Sequence, residues 1–355
     1  PLVNGIYDYF KSNDALSHIQ VVGPSQHGAM LEGSKAFAKE FMMKQQIPTA
    51  AYREFTIENF NEGLDYLKNH SLPIVLKADG LAAGKGVVIA QTHEEAIAEF
   101  TDMIQKNKFG KSSSKVVVEE FLTGIECSVF VLTDGNNYIL LPSAKDYKRI
   151  GEGDTGLNTG GMGAVSPVPF VDQAFMQKVT ERIIVPSIRG IQEAQIDYHG
   201  FVFIGLISVN NEPFVIEYNC RMGDPETEVV LPRIQNDLLA LMLMASSGKL
   251  NEIELKIDPQ TAATMMLVSG GYPEEYQKGF EISGLNNAFD SIVFHAGTIL
   301  ENNIVKTNGG RVLSITSMAN TLQEAFHKSY QTASQINFSG KYHRRDLGKD
   351  LIKYL

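Results

Sequence analysis

The distribution of apolar and polar residues predicts a chain of short strands and amphipathic helices. Helices are expected where apolar residues recur every three or four positions, and strands where β-branched residues form runs of four to eight. Within residues 35–256 the predicted helices are Lys35–Gln46, Thr92–Lys106, Val171–Gln195 and Asp237–Ser246. The predicted strands of this region are Leu72–Ala78, Val87–Ala90, Lys115–Leu122, Cys127–Thr133, Tyr138–Leu141, Phe201–Val209 and Pro213–Tyr218. This mixture predicts an α/β (α+β) fold.

The two ends of the chain differ from its middle. Residues 1–34 predict a short helix followed by a strand and turn at Ile19–Pro24, too little for a domain, and the chain starts with Pro1. We therefore interpret them as the remnant of an N-terminal domain whose beginning is missing. Residues 257–355 predict short strands, Gly-rich turns and a helix at Leu322–Ile336, which together favour a C-terminal α+β cap. The middle region, 35–256, is expected to carry an inserted small subdomain at 52–121.

Composition excludes several classes of function. The 355 residues carry a net charge of −10 without a basic run, which argues against nucleic acid or an anionic membrane as main partner. Cys127 and Cys220 lack metal-ligand spacing and are expected to be unbonded core residues in a reducing compartment. No apolar run reaches the roughly 20 residues that span a bilayer. We expect a cytoplasmic protein and a monomer.

A polar motif at the end of the last predicted strand of the middle region suggests a metal site. Glu217 and Asn219 are two residues apart and share one face of the strand, and Arg221 follows at the same parity. A carboxylate and an amide oxygen suit a hard ion such as Mg²⁺. The alternative is an edge strand with solvated polar residues.

A Gly-rich segment follows the strand that ends near Lys77. Residues 80–86 resemble a P-loop, but the spacing is one residue short, Gly86 stands where Ser or Thr should bind Mg²⁺, and the loop opens into a strand. The segment therefore predicts a flap between two strands, closing over a triphosphate with its backbone N–H groups, while Lys77 supplies a fixed charge. A flexible hairpin with two exposed lysines is the alternative reading.

Glu119 and Glu126 have the order expected of an adenine hinge followed by a ribose-binding carboxylate, although two acids at a strand end are more often simply solvated. Taken together, these motifs resemble the ATP-grasp superfamily. Within it, the chain is most similar to the glycinamide ribonucleotide synthetases, also called phosphoribosylamine–glycine ligases. The motifs that carry this resemblance occur in the order of the family and span nearly the whole chain: 31–37, 77–86, Lys148-Arg149, 154–163, 217–227, 294–298 and 307–312.

The resemblance implies an ATP-grasp fold with a partial Rossmann-like N-terminal domain, and ligation of glycine to 5-phosphoribosylamine through a glycyl phosphate. ATP is then the co-substrate and Mg²⁺ or Mn²⁺ the cofactor. Arg221 is the implied catalytic residue, and the implied metal ligands are Glu217 and Asn219. The implied ATP-binding residues are Lys35, Lys77, Gly80, Gly84, Lys85, Gly86, Glu119, Glu120, Phe121, Leu122 and Glu126. The implied substrate residues are Lys148, Arg149, Asn158, Thr159, Gly160, Gly161, Met162, Asp224 and Arg311.

Two departures from the family pattern leave alternatives open. The usual N-terminal strand and Gly-rich turn are absent, so the chain could be a nucleotide-binding fragment without ligase activity. Residues 143–147 read Ser-Ala-Lys-Asp-Tyr where many relatives carry Gln-Asp-His. Another ATP-grasp carboxylate–amine ligase, or a carboxylase using bicarbonate, is the second enzymatic alternative.

Overall fold

The computed structural model describes residues 1–82, 86–287 and 290–355. The predicted flap residues Gly84 and Lys85 lie outside these ranges. Within them, helices and strands are both present, and the mixed α/β class is confirmed. No helix of the described residues is both long and apolar enough to cross a membrane.

The first 44 residues are mostly helical and pack against the central sheet. The predicted strand Ile19–Pro24 is reduced to a two-residue strand that pairs with Tyr198 and His199 of the central sheet. A helix follows it at once, so this segment extends an existing sheet. The elements are α1 (Ile6–Ser12), β1 (Gly23–Pro24), α2 (Gln26–Gly33) and α3 (Lys35–Lys44).

The next unit is a four-stranded antiparallel sheet in the order β2-β5-β3-β4, covered by two helices. Its elements are β2 (Tyr52–Thr56), α4 (Phe60–Asn69), β3 (Ile74–Ala78), β4 (Val87–Ala90), α5 (His93–Ile104) and β5 (Lys115–Glu120). Strand β2 and helix α4 were not predicted. In β2 only Phe55 is fully buried and charged residues surround it, which hides the strand in the sequence pattern.

The central unit is built on the long strand β12, which pairs with β6 on one side and β13 on the other. The predicted hairpin after Thr133 is confirmed, and Cys127 and Cys220 are free and buried as expected. The predicted helix 171–195 contains a π turn at Thr180–Ile184. The elements are β6 (Ile125–Thr133), β7 (Tyr138–Leu140), β8 (Lys145–Asp146), β9 (Arg149–Gly151), β10 (Thr155–Asn158), β11 (Gly163–Ser166), α6 (Gln173–Val179), α7 (Val185–Glu193), β12 (Tyr198–Val209), β13 (Glu212–Asn219), α8 (Thr227–Val230) and α9 (Leu238–Ser246).

The C-terminal unit is a five-stranded sheet in the order β15-β18-β14-β11-β8, with one long helix packed on it. Two of its strands, β8 and β11, come from the middle of the chain, so the C-terminal unit and the central unit share a sheet. The predicted strand 292–298 is divided into β15 and β16. The elements are β14 (Thr261–Val268), β15 (Ile292–His295), β16 (Thr298–Glu301), β17 (Ile304–Thr307), β18 (Arg311–Ala319) and α10 (Leu322–Gln335).

Candidate active site

Lys35 begins helix α3 and reaches toward the loop that follows β3. Ser34 caps the helix by accepting a hydrogen bond from the Phe37 N–H, and its hydroxyl donates to Asp79. The Lys35 ammonium donates to the Gly80 carbonyl at 3.2 Å. Burial lowers the pKa of Lys35, although the Glu217 carboxylate opposes this change. This hydrogen bond therefore holds the start of the predicted flap against the N-terminal end of α3.

Lys77 on β3 lies between the small unit and strand β13. Its ammonium lies 2.9 Å from Glu119 Oε2 and donates to the Ile216 carbonyl at 3.3 Å. The second oxygen of Glu119 faces Lys39, at 3.4 Å. All three side chains are nearly inaccessible to solvent. The Glu119 carboxylate is thus directed into the protein, toward two lysines.

The remaining residues of the predicted adenine hinge follow β5. Glu120 accepts a hydrogen bond from the Ala51 N–H at 2.8 Å, which fixes its carboxylate at the start of the small unit. Phe121 is 39% exposed and Leu122 is partly buried. The exposed Phe121 ring follows the end of an interior strand of the small sheet, and the assignment of residues 119–122 as a hinge stays a prediction.

Strand β13 carries the predicted metal ligands beside a β-bulge. Gly205 pairs with Glu217 and Leu206 with Val215, so Ile216 is the extra residue. A bulge bends the strand locally and re-aims the side chains beyond it. Glu217 is exposed and Asn219 is buried, and the Asn219 amide nitrogen lies 3.4 Å from Glu217 Oε1.

Arg221 extends this row of polar groups. Its guanidinium donates to Asn219 Oδ1 at 3.2 Å and lies 3.1 Å from Glu32 Oε1. The other Glu32 oxygen accepts from the Cys220 N–H at 2.9 Å. Sequence reasoning missed this role of Glu32, although the residue stands inside the motif 31–37. Half of the Arg221 side chain remains exposed, so the guanidinium can still reach an anion.

The donor types at Glu217 and Asn219 fit a hard divalent ion. The two residues share one face of β13, and the facing residue, Gly205, has no side chain to obstruct them. Asn219 presents its nitrogen to Glu217 and its oxygen to Arg221, so ligation through oxygen requires the amide to turn over. Among the described residues, no group of three or more His, Cys, Asp or Glu could hold a metal.

Two residues predicted to bind different substrates contact each other directly. The Lys148 ammonium donates to Glu126 at 2.8 Å and lies 4.0 Å from Asp146. Burial would raise the pKa of Glu126, but the charge and hydrogen bond of Lys148, together with the charges of Lys145 and Lys77, outweigh it and the pKa is lowered. The pKa of Lys148 is raised because Asp146, Glu126 and Glu217 together outweigh the effect of burial.

Behind Lys148 lies a second acidic residue that sequence reasoning missed. Glu226 is 4% exposed and accepts a hydrogen bond from Ser128 at 3.3 Å. Burial raises the pKa of Glu226, and the nearby Asp146 carboxylate raises it further. The same two causes, burial and a neighbouring carboxylate, raise the pKa of Asp146. The position of Glu226 at the end of the Gly-Asp-Pro-Glu turn was the feature of the sequence that could have identified it.

The Gly-rich loop at 158–163 is held from the C-terminal unit. Arg311 donates to the Gly160 carbonyl at 2.6 Å and pairs with Asp224 at 2.5 Å, so three predicted substrate residues meet. The Tyr272 hydroxyl accepts from the Gly160 N–H at 3.0 Å. An added Cβ at Gly160 would lie 2.9 Å from the Arg311 guanidinium carbon. Glycine is therefore required for this close approach.

The other loop residues have different surroundings. The Thr159 hydroxyl donates to the Lys148 carbonyl at 2.8 Å, and the Met162 side chain is completely buried beside Met266. Met162 therefore anchors the loop, and its side chain is inaccessible to a substrate. Arg149 and Asn158 face each other across the exposed β9–β10 ribbon.

A cavity of about 390 Å³ opens beside the Asp224–Arg311 pair. Its walls come from both the 223–232 segment and strand β15, and include Asp224, Glu228, Phe294 and His295. His295 shares a hydrogen bond with the Thr298 hydroxyl at 2.9 Å.

The fold and this site define an ATP-grasp protein. Residues 33–227 match the profile of the phosphoribosylglycinamide synthetase ATP-grasp (A) domain, and residues 262–350 match the C domain of the same synthetase. The chain therefore belongs to the phosphoribosylglycinamide synthetase family, which confirms the resemblance and the fold inferred from its motifs.

Individual relatives agree with this assignment. A phosphoribosylamine–glycine ligase of Vibrio cholerae is 47% identical over 351 residues, covering 98% of this chain and 80% of the relative. One from Pseudomonas aeruginosa is 44% identical with the same coverage. The crystal structure of a phosphoribosylamine–glycine ligase from Thermotoga maritima superposes with a TM-score of 0.84 at 36% identity, covering 96% of this chain and 84% of that one.

A more distant neighbour shares the fold alone. The biotin carboxylase domain of a 2-oxoglutarate carboxylase from Hydrogenobacter thermophilus superposes with a TM-score of 0.71 at 16% identity, covering 92% of this chain and 70% of that one. Its crystal contains MgADP, ADP and bicarbonate.

Gly161 provides a test of the loop geometry. Its φ is +115°, and an added Cβ would lie 2.4 Å from Pro225 Cδ, so Gly161→Ala should lower the free energy of unfolding by about 2–3 kcal/mol. Gly153→Ala is the matched control, because Gly153 also has a positive φ but its added Cβ meets nothing within 4 Å; about 1 kcal/mol is expected. Chemical denaturation measures both losses. Equal losses would contradict the proposed contact with Pro225.

Glu226 provides a test of the buried acidic pair. A carboxyl whose pKa is raised on folding binds its proton more tightly in the folded state, so its contribution to stability falls as the pH rises above the ordinary value of 4.5. Glu226→Gln should remove this dependence. The stability of the variant relative to the wild type should therefore be about 1–3 kcal/mol greater at pH 8.5 than at pH 5.5. Thermal melting across this range measures the effect. The exposed Glu254→Gln should keep the wild-type profile, and an unchanged slope in Glu226→Gln would show that Glu226 is not the titrating group.

Proposed function

We propose that this chain ligates glycine to 5-phosphoribosylamine using ATP, giving glycinamide ribonucleotide, ADP and phosphate in the second step of purine synthesis. The observation that carries the proposal is the contact between Lys77 and the Ile216 carbonyl. It brings a phosphate-binding lysine on one unit directly to the residue before Glu217 on another. A triphosphate and its metal ion would be gripped between these two units.

In this proposal the first step transfers a phosphoryl group. An oxygen of the glycine carboxylate attacks the γ-phosphorus of ATP, the bond to the bridging oxygen breaks, and ADP leaves. Lys35 and Lys77 would bind the phosphates, and the backbone of residues 80–86 would cover them. Glu217 and Asn219 would hold Mg²⁺ or Mn²⁺, which supplies charge neutralisation at the phosphate oxygens.

The second step forms the amide bond. The neutral amine of phosphoribosylamine attacks the carbonyl carbon of glycyl phosphate, inorganic phosphate leaves, and the nitrogen loses a proton. Arg221 would stabilise the charge that develops on the phosphate, since its guanidinium is held by Asn219 and Glu32 but remains half exposed. Arg311, Asp224 and the loop at 158–163 would shape the substrate pocket, with Lys148 and Arg149 toward the sugar phosphate. Glu126 would bind the ATP ribose.

Substrate omission tests this function. Phosphate release should require Mg-ATP, glycine and freshly prepared phosphoribosylamine together, and bicarbonate should not replace glycine. Release with bicarbonate but without glycine would favour the carboxylase alternative. Nucleotide binding without any phosphate release would favour the alternative of a nucleotide-binding fragment without ligase activity.

The metal assignment has its own test. Glu217→Gln should lower kcat/KM for Mg-ATP at least about 100-fold, because a neutral amide replaces the charged metal ligand. Glu212→Gln is the matched control, since Glu212 begins the same strand, at its other end, and pairs there with Lys178 and Arg182. Initial rates over a Mg²⁺ titration measure both variants. Wild-type metal dependence in Glu217→Gln would exclude Glu217 as a ligand.

A further inference from the structure

Lys39 is a completely buried lysine to which the proposed reaction gives no role. It lies one helical turn after Lys35 on α3, and its side chain is 2% exposed. Its ammonium donates to the Thr49 hydroxyl at 2.8 Å and to the Ala50 carbonyl at 3.0 Å, and it lies 3.4 Å from Glu119 Oε1. Lysine is rarely buried this deeply without a partner, and Glu119 is the charged partner here.

Glu119 is shared between two lysines. One carboxylate oxygen faces Lys77 at 2.9 Å and the other faces Lys39. The oxygen that faces Lys39 is buried and has no hydrogen bond among the described residues, so the Lys39 charge is its nearby compensation. The three groups together carry one surplus positive charge.

This surplus matters for an anionic ligand. If Glu119 were balanced by Lys77 alone, the pair would be neutral and the attraction of Lys77 for a phosphate would be largely cancelled. With Lys39 behind the carboxylate, the cluster stays cationic on the side that Lys77 presents. Such a charge in a dry environment acts more strongly than it would in water.

Through Thr49, Lys39 also contacts the backbone of strand β13, which carries the predicted metal ligands. The Thr49 hydroxyl, which accepts from Lys39, donates to the Val215 carbonyl at 2.7 Å. Lys77 binds the next carbonyl, that of Ile216 at the bulge. Two consecutive carbonyls just before Glu217 are therefore fixed by one cationic cluster.

We propose that Lys39 is a positioning residue for nucleotide binding: it balances Glu119 from behind, so that Lys77 keeps its charge and its place beside the bulge of β13. The inference deepens the proposed function and rests on Lys77 as a phosphate ligand. It assigns to Lys39 no contact with the nucleotide.

The first test measures nucleotide affinity without the other substrates. Lys39→Met should weaken Mg-ATP binding about tenfold or more, while the KM for glycine, measured at saturating ATP, stays near the wild-type value. Lys115→Met is the matched control, because Lys115 pairs with Glu54 at 3.0 Å on the outside of the same sheet. Calorimetric titration with Mg-ATP detects binding even if the ligase assignment fails. Wild-type affinity in Lys39→Met would overturn the proposal.

A double variant separates charge balance from packing, and covers the case in which Lys39→Met folds poorly. Lys39→Met/Glu119→Gln removes both opposing charges, so it should be more stable than Lys39→Met and recover most of the lost affinity. A purely structural role through Thr49 and Ala50 predicts no recovery, because those hydrogen bonds remain broken. A double variant no better than Lys39→Met would therefore overturn the proposal.

The pH dependence gives an independent readout. Burial lowers the pKa of Lys39 to about 8, against the opposing effect of Glu119. The other groups that face it are Lys77, Glu120 and the Tyr52 ring. Mg-ATP affinity of the wild type should therefore fall as the pH rises through about 8, while Lys39→Arg keeps its affinity to higher pH. Parallel profiles for the two proteins would count against a charge role.

Discussion

The ion cluster of Lys39, Glu119 and Lys77 is the interaction on which the geometry of the site depends. Removing Glu119 would leave two buried lysines without their counter-ion, which is far more costly than losing an exposed pair, whereas removing either lysine would leave Glu119 with one cation in place of two. The cluster also links the small sheet, which has its own apolar core, to helix α3 and strand β13, which share a second core. At this junction, ion pairs and hydrogen bonds hold the small sheet to α3 and β13, whereas apolar contacts hold each unit together internally.

The small sheet is a separate packing unit that meets the rest of the site through polar contacts. The small sheet has its own core around Phe55, Leu67 and Phe100, so it can move as a unit without exposing apolar surface. Its polar link to β13 through Lys77 can be exchanged for a phosphate at little cost, because both partners satisfy the same ammonium. The bulge at Ile216 presents the carbonyl that accepts the hydrogen bond from Lys77.

The sequence predicted the units with periodic patterns and missed those whose pattern is weak. Strand β2 was missed because one buried residue among charged neighbours does not alternate visibly. The strand at residues 19–24 was predicted too long: only Gly23 and Pro24 pair with the sheet, and Ile19 is exposed. The shared direction of the Glu217, Asn219 and Arg221 side chains was predictable from their alternate positions, because the bulge at Ile216 precedes all three. Lys39 and Glu226 were not, because their significance depends on charges brought together from distant parts of the chain.

The distribution of charge around β13 bears on which substrates the site can accept. Lys35, Lys39 and Lys77 lie on the side of the small sheet, where a triphosphate would bind. Beyond β13, the carboxylates of Glu126 and Asp146 lie within 4.0 Å of the Lys148 ammonium, and the pKa values of Asp146 and of the buried Glu226 are raised. A carboxyl whose pKa is raised to about 8 keeps its proton at neutral pH, so Glu226 supplies a neutral hydrogen-bonding group, and Lys148 offsets the charge of Glu126. The side of the site beyond β13 is therefore only weakly charged, which suits the uncharged amine that attacks in the proposed ligation.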